Sequence, residues 1–384
     1  MNRRYTLLAS ILVLGGASFA LSQQRPGPPG GGGGPGGGPP GGLVLPSYYT
    51  SKSTPLGVVD TASADKACTA RGVAKLVCLA ELLKKGMTPE LRARLQLPYS
   101  AQDARKWSSF PPLIYHDRVG VTLAEFSSAQ LGVVKALLRE ATGIAANEGY
   151  DEIEQILNAD DLLKEKSAQG DFASGNFQMA FLGTPAAKGT WQLYFGGHHL
   201  ALSMTYQDGA LSGATPSFRG VEPFTSYRAN GRDNAPMAQE QAAFVAVLRA
   251  LSPAEQGRAL LSQTYTDVIV GPQRDDNFPG TKAGIRAGDL SQQQRALLLD
   301  AIDRYVGDIS RQDAARLMAK YRAELGDTWL SYSGTPSLDA ENDYVRVDGP
   351  SLWIEFSMQP GRVVPGIHPH SVWRDRSSDY GGNR

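Results

Sequence analysis

The chain has 384 residues, 41% of them hydrophobic and 20% charged, with 38 Lys and Arg against 38 Asp and Glu. That length fills one large core or two of medium size. A formal net charge of zero, with no basic run carrying interleaved aromatics, sets aside a nucleic-acid partner and any general attraction to an anionic membrane.

Arg3 and Arg4 precede an apolar run over residues 7–14, and small residues follow at Ala17-Ser18-Phe19-Ala20. This layout predicts a secretory signal over residues 1–20, cut after Ala20. The paired arginines also permit twin-arginine export, but Thr6 stands where that signal carries a bulky apolar residue, so the export route stays open. No cysteine near the cut offers a lipid anchor, and no later run nears the ~20 apolar residues that span a bilayer. The mature protein is therefore expected outside the cytoplasm, in the periplasm or secreted, with no membrane span. Residues 21–60 read as a disordered tether, because residues 25–42 are almost wholly Gly and Pro without the every-third-residue glycine of collagen. A single α+β domain is expected over residues 61–384.

Cys68 and Cys78 are the only cysteines, and export makes a disulfide between them the expected state. Residues 64–85 have a helical pattern, and ten residues of straight helix would hold the two apart by ~15 Å, too far for a bridge. The disulfide thus requires a break, and Gly72 is the residue placed to supply it. Thr88 and Pro89 then open a short helix as cap and first residue. Ser127 or Ser128 caps the next, with Leu131, Val134, Leu137 and Leu138 on one face. Residues 150–163 continue helically.

Near Asn176 the period changes to the alternation of half-buried strands, over residues 177–181, 191–195 and 198–206, and Asp208-Gly209 marks a hairpin turn. Helices return over residues 237–251, 253–263 (with Ser252 and Glu255 as a capping box), 292–306 and 312–325. The polar, Gly- and Pro-rich segment 271–288 between them is long enough for a lid or site loop. Strands close the sequence at residues 329–333, 344–347, 352–358 and 370–373, with a turn at Asp348-Gly349-Pro350. The fold class predicted is α+β, with a mainly antiparallel sheet built from two strand blocks and helical segments before and between them.

Several strand-borne motifs stand out: Trp191, Gly197-His198-His199-Leu200, Thr215-Pro216-Ser217-Phe218, Gly349-Pro350, Ile354-Glu355, His370-Ser371-Val372-Trp373-Arg374-Asp375 and Asp379-Tyr380-Gly381. With these the chain resembles, over roughly residues 65–384, a bacterial family known only as domain of unknown function 3500. The resemblance implies frequent export and the extent of the folded part. It supplies no reaction.

Histidine is scarce, five in all, and four stand in two clusters. In a strand His368 and His370 share a face ~7 Å apart, a spacing at which two imidazoles can hold one metal ion. Pro369 keeps His368 extended and denies one ladder hydrogen bond, which places the pair at a strand start or an edge. Adjacent strand residues face opposite sides. His198 would share its face with Leu200, Leu202 and Met204, and His199 with Ala201, Ser203 and Thr205, so His199 is the third expected ligand and His198 a supporting neighbour. Glu355, a carboxylate on an apolar strand, needs a partner and is the candidate general base or fourth ligand. Arg374 and Asp375 are candidate supports for the rings. Histidines clustered only to hydrogen-bond such Arg and Asp neighbours are the competing account.

The set His199, His368, His370 and Glu355 suits one divalent transition metal, Zn, Fe, Mn or Cu. Ser371 as a nucleophile is set aside, because it diverges from His370 in a strand and has no nucleophile elbow. Arg219 and Glu222 could hold an anionic group, but a salt-bridged loop is the plainer account. Two functions follow as expectations: an exported metal-dependent enzyme, hydrolytic or oxidative, acting on a small-molecule or polymer substrate, or a non-catalytic module that grips a ligand or sequesters metal. His116 lies outside both clusters.

Overall fold

The computed structural model describes residues 54–167 and 171–382. Residues 1–20, where the secretory signal is expected, and residues 21–53 of the expected tether lie outside them. The described residues belong to one compact unit, Val44–Arg384. Ten α-helices occur among them: α1 Ala62–Ala67, α2 Val73–Lys84, α3 Pro89–Leu95, α4 Ala101–Ala104, α5 Ser128–Ala141, α6 Gly149–Lys166, α7 Ala238–Ala250, α8 Pro253–Ala259, α9 Gln292–Val306 and α10 Arg311–Glu324. Their starts are set by local chemistry. The Thr88 side chain accepts the Leu91 N–H at the head of α3, with Pro89 in the first position where its missing donor costs nothing. Reciprocal Ser127–Gln130 and Ser252–Glu255 boxes open α5 and α8.

The strands are β1 Gln96–Leu97, β2 Val121–Thr122, β3 Gln178–Leu182, β4 Thr190–Gly197, β5 Leu200–Gln207, β6 Ala210–Gly213, β7 Ser217–Gly220, β8 Tyr227–Ala229, β9 Arg232–Asn234, β10 Ile285–Arg286, β11 Trp329–Ser333, β12 Tyr344–Asp348, β13 Leu352–Pro360 and β14 Ile367–Asp375. Ten of them run in the order β1-β3-β4-β5-β7-β14-β13-β12-β11-β10, β2 and β6 pair alongside, and only β1–β3 is parallel. β8 and β9 form a separate hairpin. The fold is α+β with a mainly antiparallel sheet, and β14 joins the two strand blocks through β7 and β13. Asp208 and Gly209 form the β5–β6 turn with φ of 48° and 82°, both positive as a hairpin-matched turn demands.

Cross-strand partners share a face, so the register sorts the sheet into two sides. One carries Phe181, Leu193, Leu202, Ile354, Phe356 and Trp373, part of the main apolar core shared with the helices. The other carries Ala180, Tyr194, Ala201, Phe218 and Val372, and a smaller core forms there with Trp107, Val268 and Tyr380 from segments outside the helices and strands. His368 and His370 lie on this second side, the register placing His370 opposite Ser357 and Gly220. Pro369 sits near the start of β14, in the middle of the sheet and not at an edge.

On the helical side, Arg219 of β7 is buried against Glu152 (2.5 Å) and Asp308 (2.8 Å). It does not pair with Glu222, whose Oε1 accepts the backbone N–H groups of Arg362, Val363 and Val364. Glu240 is also buried there, and neither of its oxygens has a hydrogen-bond partner. Burial and the neighbouring Glu152 and Asp308 charges hold the Glu240 carboxyl well above the usual range. Burial likewise lifts Glu148 to about 9 and Glu152 to about 8.

Cys68 and Cys78 are bonded, with Cα atoms 5.8 Å apart. The helix breaks as the bridge requires: α1 ends at Ala67, and Gly72, at φ 59°, turns the chain into α2. Replacing both cysteines by serine is expected to cost about 2–4 kcal/mol by freeing the unfolded chain, read as a lowered denaturant midpoint at unchanged slope. The tether reading fails at its end. Leu56 donates its N–H to Ser174 Oγ, Gly175 donates to the Thr54 carbonyl, and the Asp60 carbonyl packs on Gly132, so residues 54–60 dock on the body.

Candidate metal centre

The first histidine pair does not lie in a strand. β4 ends at Gly197 and β5 begins at Leu200, which leaves His198 and His199 as a two-residue hairpin turn. His199 adopts φ 59°, a left-handed conformation to which histidine is better suited than most side chains. The turn is held by its backbone: His199 donates its N–H to the Ser109 carbonyl, and its own carbonyl accepts from Gly220. The alternation argument for choosing His199 therefore does not apply, although the structure does place that ring among the others.

Three imidazoles converge. Ring centroids of His199 lie 5.2 Å from His368 and 5.1 Å from His370, and those two are 5.0 Å apart. One ring nitrogen from each falls within 4.8 Å of the others, and all three residues are buried. His368 Nδ1 and His370 Nε2 are buried without a hydrogen-bond partner, a costly condition for polar atoms that nothing compensates. One ion bonded to all three at ~2.0–2.1 Å would hold the nitrogens within ~4.2 Å of one another, close to the spacing present. Burial drives the His199 pKa well below the usual imidazole value, with the other three histidines adding to it, and takes His368 down to about 2. The His199 and His368 rings are thus neutral, the form a metal requires.

Two carboxylates that the sequence did not reveal orient the rings. Asp267 Oδ1 is 3.0 Å from His370 Nδ1. A carboxylate only accepts, so the ring donates from Nδ1 and presents the Nε2 lone pair to the site. Asp160 Oδ1 holds His198 Nδ1 in the same way at 2.6 Å. The His198 ring stacks on His199 with centroids 3.8 Å apart and planes 26° apart, so His198 buttresses a ligand ring without entering the group.

Glu355 is outside the group. It shares the face of His370, but Oε1 accepts from Ile269 N–H (2.6 Å) and Tyr344 O–H (2.7 Å), and Oε2 from Val270 N–H (2.9 Å) and Trp353 Nε1 (2.8 Å). With both oxygens occupied it is not placed to ligate an ion or take a proton in this arrangement. Arg374 and Asp375 are not beside the rings either. Arg374 binds Asp275, Asp379 and the Val270 carbonyl, and Asp375 binds Lys320, Tyr321 and Ser377. Ser371 points to the helical side, in hydrogen-bond contact with Tyr305 and donating to the Glu355 carbonyl.

A family model described as protein of unknown function (DUF3500) matches residues 69–382. The chain belongs to the DUF3500 family. No curated protein and no solved structure matches it. In this DUF3500 chain the matched span contains all three converging histidines, both supporting aspartates and the disulfide partner Cys78. Gly220 is the tightest point of the centre. A Cβ there would lie 3.1 Å from Cδ2 of both His199 and His370, so Gly220→Ala should displace both rings by a few tenths of an ångström. Binding geometry tolerates little more than that. If the centre holds Zn, a loss of affinity of about tenfold is expected, the lower end of what disturbed ligand support costs, measured by competition titration.

Proposed function

We propose that this chain is an exported metal-dependent enzyme in which His199, His368 and His370 hold one divalent transition ion (Zn, Fe, Mn or Cu). The observation that carries the reading is the set of three buried imidazoles with one nitrogen each within 4.8 Å of the others, two of the rings having a buried nitrogen without a hydrogen-bond partner. Such an ion supplies Lewis acidity or an activated water when bound. A three-histidine set leaves a coordination position for water or substrate, as catalytic sites do and closed structural sites do not. The protein's own share is to aim the rings, through Asp267 at His370 and the His198–Asp160 stack at His199. Export agrees with the Cys68–Cys78 disulfide, which reducing cytosol would oppose.

A second reading, a module that binds metal or ligand without catalysis, is favoured by burial: none of the three ligand residues is more than 8% exposed. Metal analysis of untagged protein from the extracytoplasmic fraction tests both. About one equivalent of transition metal is expected, and a protein that takes up no Zn, Fe, Mn or Cu on incubation would overturn the enzyme and leave only a module that binds some other ligand. In the Co(II)-loaded protein, a visible-spectrum change on adding azide marks an open position and the enzyme, and an unmoved spectrum marks the binding module.

A further inference from the structure

Glu355 has no role in the group of three, yet it is one of the most fully engaged side chains near it. Its carboxylate is fully buried and receives four donors, two on each oxygen. Burial lifts its pKa above the usual carboxylate range, and the four donors offset part of that. Three of its four partners are N–H groups, which can only donate. Two of the donors, Tyr344 and Trp353, come from β12 and β13 and form a fixed frame. The other two are consecutive backbone N–H groups, Ile269 and Val270, of a segment that belongs to no helix or strand.

That segment carries Asp267 two residues earlier, and Asp267 is the carboxylate bonded to His370 Nδ1. Between the two contacts, Val268 is buried against the small core on the same side of the sheet. Beyond them, the Val270 carbonyl is held by Arg374 and the Ile269 carbonyl by Asn277. The path from Glu355 to the site is therefore short and continuous. Two amides fix residues 269–270, the fixed backbone sets where Asp267 stands, and Asp267 sets which nitrogen of His370 is free.

We infer that Glu355 is a positioning residue for the histidine centre, acting through the backbone of residues 267–270 on Asp267 and thereby on His370. The inference rests on the metal reading above. It assigns to Glu355 the work of orienting a ligand through a loop, in place of contact with an ion or a proton. In Glu355→Gln the new amide turns an N–H pair toward two donors, whichever way it is placed, so the segment loses its clamp while the strand keeps its shape.

The test is Zn affinity, by competition with a chromophoric chelator well below Tm, for the wild type, Glu355→Gln, Asp267→Ala and the double variant. Loss of a partner that orients a ligand weakens binding about 10–100-fold, and that range is expected for each single variant. Because both act on one ring through one path, the double variant should bind no more weakly than Asp267→Ala alone. Glu355→Asp, which keeps the charge, should recover part of the loss. A merely structural role would lower Tm and leave Zn affinity in place. That outcome overturns the inference, as does a double variant whose loss is the product of the two single losses.

Should Glu355→Gln fail to fold, the wild type alone decides. Coupling is reciprocal, so saturating Zn should slow hydrogen exchange at the Ile269 and Val270 amides, and unchanged exchange at both overturns the inference. A wild type that binds no metal at all would instead sink the reading on which it rests.

Discussion

His370→Ala is expected to lower Zn affinity by more than about 100-fold, beyond what losing a supporting partner costs. The variant removes one of three ligands and also strands Asp267, whose contact with the site is the His370 ring. The same measurement has a thermal form. At a thousandfold excess over Kd, a ligand that binds only the folded state stabilises it by about 4 kcal/mol, which for a domain of this size is a rise in Tm of roughly six degrees. Wild type should show that rise and His370→Ala should not.

Acid should remove what these rings contribute to stability. His199 and His368 are held far below their unfolded pKa of 6.5, so below that pH the unfolded state binds more protons than the folded one. Their contribution is therefore lost as pH falls from about 6.5. Metal-free wild type should lose more Tm between pH 7.5 and pH 5 than His368→Gln does, and an equal change in the two would contradict this.

The second large effect lies on the opposite side of the sheet. Arg219→Met removes the guanidinium paired with Glu152 and Asp308 and leaves buried carboxyls without their countercharge. Breaking a buried pair from one side costs about 3–5 kcal/mol, so a Tm drop of roughly four to seven degrees is expected for a domain of this size. The loss should deepen as pH rises, because the carboxyls that would repel one another ionise.

Glu240→Gln should do the reverse. For an acid raised in the folded state, stability is fully present below the unfolded pKa of 4.5 and is lost as pH climbs through the folded value. A neutral amide does not pay that cost, so the variant's Tm should exceed wild type by more at pH 9 than at pH 5. A gap that stays constant across that range would show that Glu240 is not the neutral acid argued here.

Local signals carried most of the fold. Capping residues and amphipathic stripes act within a turn or two of the residues they organise, so α3, α5, α8 and α9 stand where Thr88, Ser127, Ser252 and the periodicity of residues 292–306 put them. The alternation of residues 200–206 ran on backwards through His199 and His198, and period alone does not mark where a strand gives way to a turn. The site was legible as far as its ligands, because four of five histidines in two clusters are visible without a structure.

Its supports were not legible. Asp160 and Asp267 stand 38 and 103 residues from the rings they hold, and nothing about an aspartate in a helix or an irregular segment announces so distant a partner. Glu355 was rightly judged to need partners. Half of those partners are backbone amides, which every residue except proline carries and no composition distinguishes.

The place of β14 in the sheet has a consequence for how the protein comes into being. It is the last strand in chain order, yet it lies between β7 and β13 at the middle of the sheet. A nascent chain that has not yet produced residues 367–375 has one half-sheet ending at β7 and another ending at β13, with no strand to join them. It also has only one of the three histidines. The turn bearing His199 must wait for residues some 170 positions later, a long-range closure of the kind that slows folding. The centre therefore assembles late and all at once, and an ion, if the centre holds one as proposed, would be drawn from whatever compartment the finished chain folds in.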